Sequence, residues 1–89
     1  MNKFALKVIT PQGVVIDKQV AGLYLRGSEG DLAVFAGHVP FVTSVREGKC
    51  TIVYDDSSED TEAVAGSGML NVSGDSVTLM TSSWKICSE

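Results

Sequence analysis

Apolar and polar positions along this chain alternate with a period of two, in short runs separated by turn-forming residues. Phe4, Leu6 and Val8 alternate with Ala5, Lys7 and Ile9; Cys50, Ile52 and Tyr54 alternate with Thr51 and Val53; Val77 and Leu79 alternate with Thr78 and Met80. Residues i and i+2 share one face of a strand, so each run offers an apolar face to a core and a mixed face to solvent or a partner. Val20 with Leu23-Tyr24-Leu25-Arg26 reads as one further strand. The breaks are Pro11-Gln12-Gly13, Gly27 to Gly30, Gly37 to Pro40, Glu47-Gly48, Asp55 to Asp60, Gly66-Ser67-Gly68 and Ser73-Gly74-Asp75. Their separation of about 6–12 residues is that of an all-β sandwich or barrel.

Turn chemistry sharpens this picture. Ser73-Gly74-Asp75 predicts a tight hairpin, and Gly66-Ser67-Gly68 a bulge or a corner between sheets. Ser28-Glu29-Gly30-Asp31 has the spacing of a helical capping box ahead of Leu32 to Ala36, but Gly30 and Gly37 bracket that stretch too closely for a stable helix. The expected core is Phe4, Leu6, Leu23, Leu25, Val34, Ile52, Leu70, Val77 and Leu79.

At 89 residues there is room for one domain with a thin core. We expect a domain over residues 1–82 and a short tail over 83–89, with Trp84 anchoring that tail by burying its ring. A net charge of -4 with scattered basic residues argues against nucleic acid, whose phosphates are bound through clustered Lys and Arg. No apolar run approaches the roughly 18 residues of a membrane span, and the N-terminus leads into alternating residues rather than a signal peptide. Cys50 and Cys87 lack metal or redox spacing and are read as reduced thiols, which fits a cytoplasmic compartment.

Catalytic, cofactor and metal motifs are not found. There is no G-x-x-x-x-G-K-[ST] phosphate loop, and Gly66-Ser67-Gly68-Met69-Leu70-Asn71 begins like a dinucleotide fingerprint but ends in Asn71. His38 is the only histidine, which leaves a multi-histidine zinc site without ligands. Ser28, Asp31 and His38 could be drawn as a triad, yet no nucleophile elbow accompanies them. The acidic run from Asp55 to Asp60 lacks the order of a calcium loop and reads as a solvated hairpin.

The informative stretch runs from Leu25 to Gly48. It contains Gly27-Ser28-Glu29-Gly30-Asp31, then Gly37-His38-Val39-Pro40, then Phe41-Val42-Thr43 and Gly48. This closely resembles the epsilon subunit family of F-type ATP synthases, with its G-x-E-G-[DE] loop, G-H-x-P turn, short apolar strand with Thr, and further glycine. Leu6-Lys7-Val8-Ile9-Thr10-Pro11 and Ser67-Gly68-Met69-Leu70-Asn71-Val72 agree with it, and the resemblance covers residues 3–82 or so. Ala36 stands where the family usually has Pro, and Ser67 where many members have Gly. Most members also continue into a C-terminal helical pair that these 89 residues do not include.

The resemblance implies a flattened β-sandwich of about ten short strands in two sheets. It also implies a non-catalytic rotor subunit with two partners, the gamma subunit and the membrane c-ring. Glu29, Gly30 and Asp31 match the loop that meets the c-ring. Thr10, His38, Val42 and Thr43 match positions that face gamma, and Gly37, Pro40, Gly48 and Gly68 match structural turn positions. No cofactor is implied, and without the helical pair neither ATP binding nor an ATP-sensing brake is expected. Peripheral membrane association through the complex follows, on the cytoplasmic face of the inner membrane in a bacterium or on an organellar membrane otherwise. The alternative is a stand-alone β-sandwich module binding a carbohydrate or other ligand, for which exposed aromatic residues are sparse.

Overall fold

Alternation of apolar residues folds most of the described residues into strands. The computed structural model describes residues 3–27, 29–37, 39–54 and 60–87, which leaves His38, Ser28 and positions 55–59 of the acidic run outside the described residues. Ten strands lie among those described: β1 (Phe4–Thr10), β2 (Gly13–Val20), β3 (Gly22–Gly27), β4 (Gly30–Phe35), β5 (Phe41–Val45), β6 (Gly48–Val53), β7 (Thr61–Ala65), β8 (Gly68–Ser73), β9 (Ser76–Thr81) and β10 (Trp84–Ile86).

The ladder order is β10-β7-β6-β3-β5-β8-β9-β1-β2, with β4 on the other side of β3. Pairing between β3 and β5 is confined to Gly27 and Val45, and the ladder turns there from one five-strand layer to the other. The inward residues of both layers meet in one apolar cluster: Phe4, Leu6, Val8, Leu70, Val72, Val77 and Leu79 from one side, Leu23, Leu25, Val34, Cys50 and Ile52 from the other. All nine residues expected in the core are buried. Each large one contributes about 1.5–3 kcal/mol of transfer free energy. Together they fix the register, since a one-residue slip would turn a whole strand inside out.

The candidate helix is resolved as strand. Gly30, at φ +131°, closes a tight hairpin opposite Gly27, and Asp31 to Phe35 then pair back along β3. At Ser73-Gly74-Asp75 the expected hairpin is present: Ser73 pairs with Ser76, and Gly74 takes φ +59°. The Gly66-Ser67-Gly68 corner is stitched by the Thr81 hydroxyl, which donates to the Gly66 carbonyl at 2.7 Å.

Two features differ from the sequence reading. Val20 and Leu23 do not share a strand, because a bend at Ala21 ends β2 and starts β3, and the Ala21 N–H donates to the Val53 carbonyl at 2.7 Å. The segment after residue 82 carries β10, paired antiparallel to β7 with Trp84 opposite Ala65. Trp84 is half-buried against the core as expected, but backbone pairing holds the segment as well.

Candidate functional site

The β3–β4 hairpin presents the two acids that the sequence singles out. Glu29 and Asp31 are exposed on either side of half-buried Gly30, and Asp31 stands opposite exposed Arg26 in the ladder. Arg46 braces the base of this tip from the neighbouring connection, its Nε donating to the Gly27 carbonyl at 3.1 Å. The result is a polar, acid-bearing point on a fixed stem.

The other singled-out residues fall on different faces. Val42 on β5 points outward and is 59% exposed, whereas Thr43 is half-buried and turned inward, with Oγ1 donating to the Ser44 carbonyl at 3.4 Å. Thr10 is buried at 7% exposure. Its hydroxyl accepts from the Gln12 N–H at 3.2 Å and donates to the Gly13 carbonyl at 3.3 Å. It shapes the β1–β2 turn rather than presenting a side chain outward. His38 lies outside the described residues, between Gly37 at φ +81° and exposed Val39 and Pro40.

Close approach of backbone requires Gly68, whereas at Gly48 the obstacle is the flexible side chain of exposed Arg26. A β-carbon on Gly48 would run into the Arg26 side chain, and one on Gly68 into the Met80 carbonyl.

Register reveals a surface that motif reading missed. Across the outer face of the β5-β8-β9-β1-β2 layer, Ser44 pairs with Met69, Met69 with Met80, Met80 with Ile9, and Ile9 with Val14. Directly paired residues share a face, so Met69, Met80, Ile9 and Val14 form one apolar row, with Val42 in the adjoining row. Met69 is 42% exposed, Met80 48% and Val14 54%. The outward slots of half-buried strands ordinarily carry polar residues; the signal was therefore present in the sequence as apolar residues in the polar phase of the alternation. The other layer's outer face is mixed. It carries Tyr24 edge-on to Phe35 at 5.7 Å and an ion pair of Lys49 with Glu62 at 3.2 Å.

Among the described residues, no group of three His, Cys, Asp or Glu could hold a metal ion, and no helix is long and apolar enough to cross a membrane. Cys50 sits inside the core, where desolvation pushes its thiol up from 9.0 to about 12, so it is protonated and inert at neutral pH.

Comparison with known proteins agrees with this fold. Residues 3–85 match the family described as "ATP synthase, Delta/Epsilon chain, beta-sandwich domain". The chain is similar to the ATP synthase epsilon chain of Brevibacillus brevis, at 32% identity over 80 residues, covering 90% of this chain and 60% of that one. It therefore spans less than two thirds of that relative's length. It is also similar to the ATP synthase epsilon chain of Chlorobaculum tepidum, at 33% identity over 78 residues and 88% of each chain. Its fold matches a chain in the structure of the Euglena gracilis mitochondrial ATP synthase, OSCP/F1/c-ring in rotational state 1, with a TM-score of 0.87, 21% identity, 94% of this chain and 53% of that one. From the family match over nearly its whole length, the chain belongs to the ATP synthase delta/epsilon chain β-sandwich domain family.

Proposed function

We propose that this chain is a non-catalytic subunit of the central stalk of an F-type ATP synthase, joining the gamma subunit to the c-ring so that ion-driven rotation reaches the catalytic head. The observation that carries the proposal is the outward apolar row of Met69, Met80, Ile9 and Val14 beside Val42, in a chain whose family is that of the ATP synthase delta/epsilon sandwich. An apolar row on a sheet's solvent side marks a docking surface, and gamma is the partner that the family offers it.

Opposite chemistry serves the second contact. The Glu29-Gly30-Asp31 tip would meet basic groups on the polar loops of the c-ring. Exposed ion pairs contribute only about 0.2–1 kcal/mol each, so the tip sets position while the apolar face supplies affinity. Val42 contributes directly to the gamma contact. Thr10 and Thr43 act behind it, Thr10 by holding the β1–β2 turn and Thr43 from the inner side of β5. The subunit is peripheral, held at the membrane through its partners, on the cytoplasmic face in a bacterium.

Family membership favours this over a stand-alone ligand-binding module. The test is copurification from native membranes with an affinity tag on this chain. Gamma and the c-ring should be recovered with it in detergent; recovery of the chain alone from intact complexes would remove the stalk reading.

A further inference from the structure

The geometry points to Met69 and Met80 as a paired oxidative modification site that decides whether the free chain can dock. This inference rests on the stalk reading above. The two thioethers stand directly opposite each other on β8 and β9, both substantially exposed, in the middle of the outward row between Ser44 and Ile9. Neither contributes to the buried core cluster.

An exposed thioether is readily oxidised by peroxide without breaking the chain. Its sulfur attacks one oxygen of hydrogen peroxide or an organic hydroperoxide. An S–O bond forms, the O–O bond breaks, and water or an alcohol leaves; sulfur loses two electrons and the peroxide gains them. The product is a polar sulfoxide, a strong hydrogen-bond acceptor where the unmodified face is apolar. On the free sandwich, water satisfies that acceptor, so the fold tolerates the change. On docking, the acceptor must be stripped of water; Ser44 offers a hydroxyl beside Met69 only, whereas Met80 stands between Met69 and Ile9 with no donor next to it in the row. Each buried, unsatisfied acceptor should weaken docking by about tenfold or more.

Exposure and docking exclude one another. The sulfurs are open to peroxide in the unassembled chain and closed once a partner covers the face. Oxidation therefore acts on subunits awaiting assembly, and a thiol-dependent methionine sulfoxide reductase would restore them.

The experiment treats the purified chain with hydrogen peroxide, maps oxygen addition by peptide mass, and measures affinity for the gamma subunit of the same organism before and after. We expect one oxygen on each of Met69 and Met80, an unchanged circular dichroism spectrum, and an affinity lower by about tenfold or more. The double variant Met69→Leu, Met80→Leu should bind gamma and keep its affinity through peroxide treatment, and prior docking should protect both sulfurs in the unmodified chain. Sulfoxides with undiminished affinity, equal oxidation of free and docked chain, or a loss that persists in the double variant would each overturn the inference. If the untreated chain does not bind gamma, the stalk reading itself falls, and this inference with it.

Discussion

The Arg46 side chain donates from Nε to the Gly27 carbonyl at 3.1 Å, beside the Gly27–Val45 pair where the ladder passes between the two layers. The Arg46 N–H also donates to the Arg26 carbonyl, at 2.9 Å. Replacing Arg46 with Met keeps the aliphatic stem and the backbone bond but removes a charge-assisted bond at this seam. The expected cost is about 1.5 kcal/mol, read as a lower urea midpoint with an unchanged slope. No shift in midpoint would show that the side chain contributes nothing to the seam.

Gly68 is pressed against the backbone of β9. A β-carbon there would collide with the Met80 carbonyl oxygen and come within 2.9 Å of the Thr81 Cα. Neither atom is the end of a flexible side chain, so Gly68→Ala must move strands. A loss of about 3 kcal/mol is expected, a large part of the roughly 5 kcal/mol available to a small domain. Thermal melting checks this, and an unaltered melting temperature would contradict the close approach.

Cys50 links stability to alkaline pH. Burial raises its thiol from 9.0 to about 12, so the unfolded chain gives up this proton at a lower pH than the folded one. The stabilisation is complete below the unfolded value and is lost as pH rises from there through the folded value. Urea melts across this range should show declining stability, and Cys50→Ala, although weaker throughout, should lack the part of the decline due to the thiol. Exposed Cys87 should react with maleimide at neutral pH while Cys50 does not. Parallel pH profiles for the two proteins would refute the assignment.

Much of the fold could be read from the residues because β1, β6 and β9 bury alternate side chains in one cluster, which imprints a period of two. Strand β2 leaves no such imprint: it is an edge strand, with every residue from Gly13 to Gln19 except Ile16 exposed. The joining of Val20 to Leu23 could have been refused on parity alone. Two residues three apart face opposite ways in one strand, yet both are fully buried here, so the chain has to bend between them. The parallel pairing of β1 with β9 brings Leu6 beside Val77, and local periodicity carries no trace of such a distant partner. Of the surfaces, the acidic tip was legible as two carboxylates around a glycine. The apolar row was legible only in part: Ile9, Met69 and Met80 stand in the polar phase of their strands' alternation, but register alone sets them side by side.

Asp31 tests the second contact apart from the first. It is exposed at the hairpin tip opposite Arg26, so Asp31→Arg should lower stability by no more than about 1 kcal/mol, the cost of like charges set opposite each other. On the proposed c-ring contact, proton or sodium pumping driven by ATP in a reconstituted complex should nevertheless weaken, as an acid set against basic loops is replaced by a like charge. Full pumping by this variant would remove Asp31 from the c-ring contact.

Most directly, the stalk account is tested by measuring the affinity of the purified chain for gamma by calorimetry, with Met80→Asp set beside Val64→Asp. Both replace an exposed apolar strand residue, Met80 on the proposed docking layer and Val64 on the opposite one, and thermal melting checks that each variant folds. The account predicts that Met80→Asp lowers affinity by about thirtyfold or more while Val64→Asp binds like the unmodified chain. Equal affinities for the two variants, or a greater loss with Val64→Asp, would contradict it.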